Sequence, residues 1–427
     1  METWQRNLYT MLAVQFLMFV LFTSVFSYMP LFIIELGVQG QKEVAFWSGL
    51  ISSISSLFAA FFSPLWGRLS DRSGYKLNLL RSCVAVVIFN FLSGTSVSVY
   101  QLLFFRVMQG CFSGFAAAAI TMVGASTPAS HLGPALGWLQ TAQVLGAMLG
   151  PMVGGVLADT FSYRYVFFIA SAVGAAATLL AYFLLTEPPS SKAAAARPSL
   201  SPLSPLFGLD SNRRQGIAAM LLVLFCGQFA GRCVEPVLSL YVMNLEPQAT
   251  AIASQTGILF TAAAAGQLLA ISLFLKRIPQ WGYKKTLLLT LLGASLFYFP
   301  HALVTRAWHL LGLRLAVGTF LGAVLPASNA FIGLLAPPER KGSIYGLTTS
   351  ATFMGSFLGV LGGGTISALL GIPAVFVTAS ILLFTAFLWV WAKIPDTAPS
   401  QLYISSKTAG ETPCESIKPP QEDALER

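Results

Sequence analysis

The chain has 427 residues, 55% of them hydrophobic and only 10% charged, with a formal net charge of +9. Apolar runs of about 20 residues recur along it, as a protein that crosses the bilayer many times requires, and the basic residues lie in short loops between them. That placement reports topology, and it excludes nucleic acid as the partner that the net charge alone would suggest. With no water to satisfy backbone amides, each run must close its own hydrogen bonds. The alternation of a barrel strand is absent, so the fold class is an all-α polytopic membrane protein.

The first run, Leu8 to Leu36, is far longer than a signal-peptide core and has no small-residue cleavage site, so it reads as the first span. Spans follow at about 44–66, 77–98, 100–123, 134–158 and 163–185. Six more lie at about 216–243, 252–275, 285–304, 307–330, 344–369 and 373–394. Between the second and third, Gly67 to Lys76 reads Gly-Arg-Leu-Ser-Asp-Arg-Ser-Gly-Tyr-Lys, which predicts a polar hinge whose two glycines permit a tight reversal. Residues 1–187 are expected to form one six-helix bundle and 216–396 the other. The Ser-, Pro- and Ala-rich stretch 188–215 between them is expected to be a cytoplasmic linker, in which Leu203 to Leu209 reads as part of a disordered tether, the alternative being a segment that docks at the interface. Residues 397–427 are polar and proline-bearing, the pattern of a disordered tail.

Three Lys and Arg residues (Lys42, Arg164, Arg306) fall on one set of loops and eighteen on the other, which includes both tails. By the positive-inside rule both termini face the cytoplasm. The remaining four, Arg81, Arg106, Arg232 and Arg314, lie inside spans. The five cysteines form no Cys-x-x-Cys pair and predict neither a metal site nor a disulfide. No phosphate-binding loop is present, so neither nucleotide hydrolysis nor a cofactor is expected, and no nucleophile and base pair suggests an enzyme. His301 and His309 read as exposed residues bracketing an external loop.

The two halves repeat. A shift of 208 residues lays Gly74-Tyr75-Lys76 over Gly282-Tyr283-Lys284, and Arg106, Gly110 and Gly114 over Arg314, Gly318 and Gly322. At 209, Gly146, Gly150, Gly154 and Gly155 fall on Gly355, Gly359, Gly363 and Gly364, while Pro30 matches Pro236 at 206. Such a duplication in near-constant register marks two parallel six-helix halves.

On these residues the chain resembles the major facilitator superfamily, from Leu8 to Lys393, and within it the bacterial 12-span drug/proton antiporters. The Gly67 to Lys76 stretch is similar to that superfamily's signature loop. The resemblance implies that Asp71 docks at the start of the eleventh span and favours one of two alternating states, with Gly67, Arg72, Gly74 and Lys76 completing the gating loop. Gln101 to Gly110 resembles the fourth-span motif of proton-coupled members, with Arg106 as its buried arginine. Gly146, Gly150, Pro151, Gly154 and Gly155 resemble the fifth-span motif of exporters, where the glycines at spacing four share one helical face. Pro151 has no counterpart in the second half, where Val360 stands.

The resemblance also implies that spans one, four, seven and ten line a central cavity. Arg106, Arg232, Glu235 and Arg314 all lie on these spans, and charge inside a membrane is costly enough to be rare without a purpose. Glu235 is the carboxylate placed well inside a span, at i, i+3 from Arg232, and is the candidate for proton coupling together with Arg232 and Arg106. The alternative is a structural ion pair. Arg314, Gln15, Gln143, Gln228 and Asn329 are the candidates to orient substrate or to bond between helices; phenylalanines on the first and fourth spans could form an apolar wall, although most are expected to face lipid or neighbouring helices. First-span residues Leu8 to Ile34 carry no acid, unlike many cation exporters of the family, so the arginines hint at an anionic, zwitterionic or neutral amphiphile. The expected function is proton-coupled efflux of small amphiphilic molecules across the cytoplasmic membrane by a monomer, its partners being substrate, protons and lipid. The alternative is export of one endogenous metabolite, such as a carboxylate siderophore or a sugar.

Overall fold

The computed structural model describes residues 2–128, 131–187, 209–274, 277–337 and 341–394. The first half comprises α1 (Thr3–Ser24), α2 (Met29–Glu35), α3 (Gln41–Ser73), α4 (Tyr75–Gly94), α5 (Val99–Phe112), α6 (Phe115–Ser126), α7 (Leu132–Thr160) and α8 (Tyr163–Leu184). The second comprises α9 (Ser211–Arg232), α10 (Leu238–Leu245), α11 (Ile252–Leu273), α12 (Ile278–Trp281), α13 (Tyr283–Tyr298), α14 (Ala307–Leu321), α15 (Val324–Leu335), α16 (Lys341–Leu370) and α17 (Ile372–Lys393). Among the described residues, twelve helical stretches are long and apolar enough to cross a membrane, one for each span expected from the sequence. The linker segment Leu203 to Leu209, apart from its last residue, and the tail lie outside the described residues.

Each of the four spans expected to line the cavity is broken. Span one divides between α1 and α2, span four between α5 and α6 at Ser113 and Gly114, span seven between α9 and α10, and span ten between α14 and α15. Gly114 adopts φ +124, a conformation that side chains rarely take. Breaks inside a membrane leave backbone groups unpaired, so they persist where they line a cavity or are covered by protein.

The hinge differs from the expectation. Gly67 does not turn; α3 continues as helix through Ser73, and the reversal rests on Gly74 alone, at φ +98. A long helix keeps its backbone bonds satisfied, so the charged residues extend it beyond the apolar stretch instead of ending it. The side chains of Asp71 and Arg72 lie outside the described ones.

The glycine series explains how the spans pack. A methyl group on Gly146 would meet Phe16 and Phe19, one on Gly150 would meet Val20 and Thr23, and one on Gly154 would meet Ser24, all in α1. The second half copies this: Gly355, Gly359 and Gly363 meet Phe225, Phe229 and Cys233 of span seven. In each copy the last contact falls where the half's first helix breaks, after Ser24 and at Cys233. The fourth glycine reaches the other half, Gly155 onto Ala253 of α11 and Gly364 onto Ala45 and Gly49 of α3. α7 stays helical through Pro151, and hydroxyls on either side bond carbonyls just before it: Thr23 donates to Gly146 O at 3.4 Å and Thr261 to Met148 O at 2.8 Å.

These glycine contacts between halves cluster at one end of the bundle. α7 and α16 end there and α3 and α11 begin there, opposite the end that carries Glu2 and Lys393. Toward the termini, by contrast, a methyl on Gly137 of α7 would meet no described residue within 4 Å, and neighbouring Trp138 is exposed. The halves are thus closed together at the far end.

Candidate functional site

Each half places a buried arginine close to the break in its first helix. In the second half, Arg232 is the last residue of α9 and Glu235 sits in the turn before α10. The turn, closed by Glu235 N–H donating to Arg232 O at 3.1 Å, folds the two side chains together, and Arg232 Nη1 meets Glu235 Oε1 at 2.6 Å. Their exposure is unequal: the arginine side chain is 42% accessible and the carboxylate 12%. Arg314 of α14 is buried within electrostatic reach of Glu235, Cys233 and Tyr298, and its Nε and Nη2 have no hydrogen-bond partner among the described residues.

In the first half, Arg106 of α5 donates from Nη1 to Gln109 Oε1 at 2.9 Å and stands over the Phe167 ring at 5.7 Å. Its Nε and Nη2 also lack partners among the described residues, as does the hydroxyl of Tyr28, with which it interacts electrostatically. Tyr28 occupies the break between α1 and α2 and has nearly the backbone angles of Val237, which precedes α10 (φ −128 against −123). The two lie 237 − 28 = 209 residues apart, the offset of the glycine series. Pro30 and Pro236, paired in the sequence at 206, therefore flank their breaks on opposite sides. Of the two breaks, the second carries the acid.

The expected site residues fall into separate groups. Gln15 and Gln143 bond across spans one and five at 3.3 Å. Ser356 donates to Gln228 Oε1 at 3.3 Å, the matching contact of spans seven and eleven. Asn329 accepts from the Tyr345 hydroxyl through its backbone oxygen. Among the described residues, no hydrogen bond or ion pair joins Arg106 to Glu235 or Arg232; it belongs to the first half's own cluster. Arg81 is away from both, stacked on Trp66 at 3.5 Å and bonded to Phe112 O. Phe19 packs on Phe115 and Phe26 on Phe260 of the other half, whereas Phe32 is core and Phe104 is on the outer surface.

His301 is not exposed. It lies fully buried in a 3-10 turn (Phe299–Leu303), stacked on Phe376, with Nδ1 against Phe297 O and its own carbonyl accepting from the Tyr241 hydroxyl at 2.7 Å. The sequence located it correctly at a span end, but the turn folds its ring inward.

At the Gly67 to Lys76 stretch the structure supplies a residue that the motif omits. Glu187 accepts from Tyr75 N–H at 2.6 Å and Lys76 N–H at 2.9 Å, capping α4, while Lys76 Nζ donates to Tyr182 O at 2.7 Å. A carboxylate on two first-turn amides gains from both hydrogen bonds and the helix dipole. Glu187→Ala is expected to lower stability by about 1 kcal/mol, read as a drop in thermal unfolding temperature, with Glu187→Gln intermediate. Equal unfolding of all three would remove the cap from the account.

The family model for the Major Facilitator Superfamily matches residues 11–277 and 220–420. The chain belongs to the major facilitator superfamily. Among its curated relatives, an MdtG multidrug resistance protein from Citrobacter koseri is 34% identical over 384 residues, spanning 90% of this chain and 94% of the relative. The uncharacterized MFS-type transporter YuxJ of Bacillus subtilis is 33% identical over 87% of this chain and 95% of its own length. In fold, the chain is similar to the inward-facing, occupied crystal structure of a bacterial homolog of the human lysosomal transporter Spinster. That match has a TM-score of 0.74 at 16% identity and covers 95% of this chain and 98% of the other. The protein is accordingly a multi-pass secondary transporter of this superfamily, whose members are not enzymes.

Proposed function

We propose that this transporter exports small amphiphilic molecules across the cytoplasmic membrane in exchange for protons, with both termini cytoplasmic. The observation that carries this reading is the Arg232–Glu235 pair, held at the break of a cavity helix with its carboxylate inside. A carboxylate there can hold a proton when its partner turns away and release it when the pair re-forms. The far-end closure supports a form open toward the termini, the side from which an exporter loads. The eighteen-to-three bias of basic residues supports the orientation, and the similarity to multidrug resistance proteins supports the substrate class.

The sign of the coupling bears on the substrate. Each proton taken by Glu235 makes the cavity one charge more positive, so a cationic group is released as the proton binds and an anionic one is held more tightly. Exchange therefore favours neutral, zwitterionic or cationic amphiphiles, and the three buried or half-buried arginines weigh against the purely cationic ones. In inverted vesicles under an imposed pH gradient, uptake is expected for several unrelated amphiphiles and is expected to collapse when an ionophore removes the gradient. Uptake of a single metabolite would favour the specific exporter, and gradient-insensitive uptake would remove proton exchange.

A further inference from the structure

We propose that Asp159 is the latch that holds the far end shut and so sets the balance between the two states of the transport cycle. Asp159 lies in the last turn of α7, in the first half, and its side chain crosses to the second. Oδ1 accepts from Ala253 N–H at 3.3 Å and Oδ2 from Ser254 N–H at 2.6 Å. These amides belong to the first turn of α11, where no intrahelical acceptor exists. The residue that precedes that helix is Ala251, whose side chain cannot cap it. The start of α11 is thus capped by the opposite half of the protein, 94 and 95 residues away in sequence.

The surrounding seam is tight enough to act with it. Gly155 faces the Ala253 carbonyl, Gly257 faces that of Pro151, and Thr261 bonds Met148 O at 2.8 Å. The nearby acid Glu35 is engaged elsewhere, with Arg164 at 3.0 Å. Opening the far end separates α7 from α11 and must break both charge-assisted bonds. An interaction present in one of two states shifts their ratio by its own free energy. Asp159 thereby mirrors, at the far end, the part that the sequence resemblance assigns to Asp71 at the end carrying the termini.

The test is hydrogen exchange by mass spectrometry on the full chain in lipid nanodiscs, without substrate or gradient, so that it does not depend on where the proton binds. Asp159→Asn is expected to speed exchange about tenfold in segments 161–165 and 249–258. It is also expected to slow exchange at the opposite ends of the same helices, 132–145 and 265–273, because the halves close there as they part at the far end. Asp159→Glu should retain the wild-type pattern. Ser254→Pro removes a donor from the third helical position, where proline is tolerated, and should reproduce both changes with Asp159 intact. Faster exchange confined to the first turn of α11, with no slowing at the other end, would make Asp159 a local cap and overturn the proposal. Unchanged exchange in both variants would overturn it as well.

Discussion

Replacing Glu235 by Gln is expected to abolish concentrative transport while leaving the carrier able to exchange. In inverted vesicles, gradient-driven uptake should fall about a hundredfold, the low end of what loss of a proton-transfer group brings, whereas gradient-free counterflow of labelled against unlabelled substrate continues. Glutamine keeps the shape and a hydrogen-bond acceptor for Arg232, so the break between α9 and α10 should survive. The two members of the pair should also differ in stability. Glu235→Gln leaves an arginine that is 42% accessible and can be solvated, but Arg232→Gln leaves a carboxylate only 12% accessible without its 2.6 Å partner. Stranding the buried member of such a pair costs up to about 3–5 kcal/mol, so Arg232→Gln should unfold at the lower temperature. Normal gradient-driven uptake by Glu235→Gln would make the pair structural and move the search for the proton site to Glu35, Asp71 and Asp159.

Gly154→Val and Gly363→Val are expected to lose folded protein altogether. A β-carbon at either position runs into backbone, that of Ser24 or of Cys233, and backbone cannot swing aside as a side-chain tip can. Overpacking a core typically costs about 1–3 kcal/mol, and a clash of helix against helix where the span breaks should exceed it. Gly124→Ala and Gly137→Ala provide the comparison, since no described residue lies within 4 Å of either new methyl. Detergent-solubilised yield and size-exclusion profile should separate the two pairs. Well-behaved, monodisperse Gly154→Val would show that α1 and α7 have room to part.

Much of this was written in the chain in one dimension. The twelve spans were legible because a bilayer obliges each apolar run to satisfy its backbone alone, a local requirement that length and composition report. The glycine series was legible too, since its spacing of four lies on one helical face, and its copy at an offset of 209 names the same contact twice. Arg106, Arg232, Glu235 and Arg314 were conspicuous because charge is rare inside a membrane. Even the Arg232–Glu235 contact follows from i, i+3 spacing, although the turn that makes it was not foreseen.

What the sequence by itself determined is therefore the class of fold, the number and order of spans, the duplication and the short list of charged residues. The tertiary structure decided where spans one and seven break, and it placed Tyr28 at the first break and Glu235 at the second. It alone joined Glu187 to Tyr75 across 112 residues and Asp159 to Ser254 across 95. It turned His301 inward onto Phe376 and shortened the Gly67 to Lys76 hinge to the single residue Gly74. The physical reason is the same in each case. A helix in lipid is fixed by hydrogen bonds between residues four apart, which the sequence records directly. A cap, a latch or a buried ring is fixed by whichever distant helix packs beside it, and that neighbour exists only once the spans have assembled.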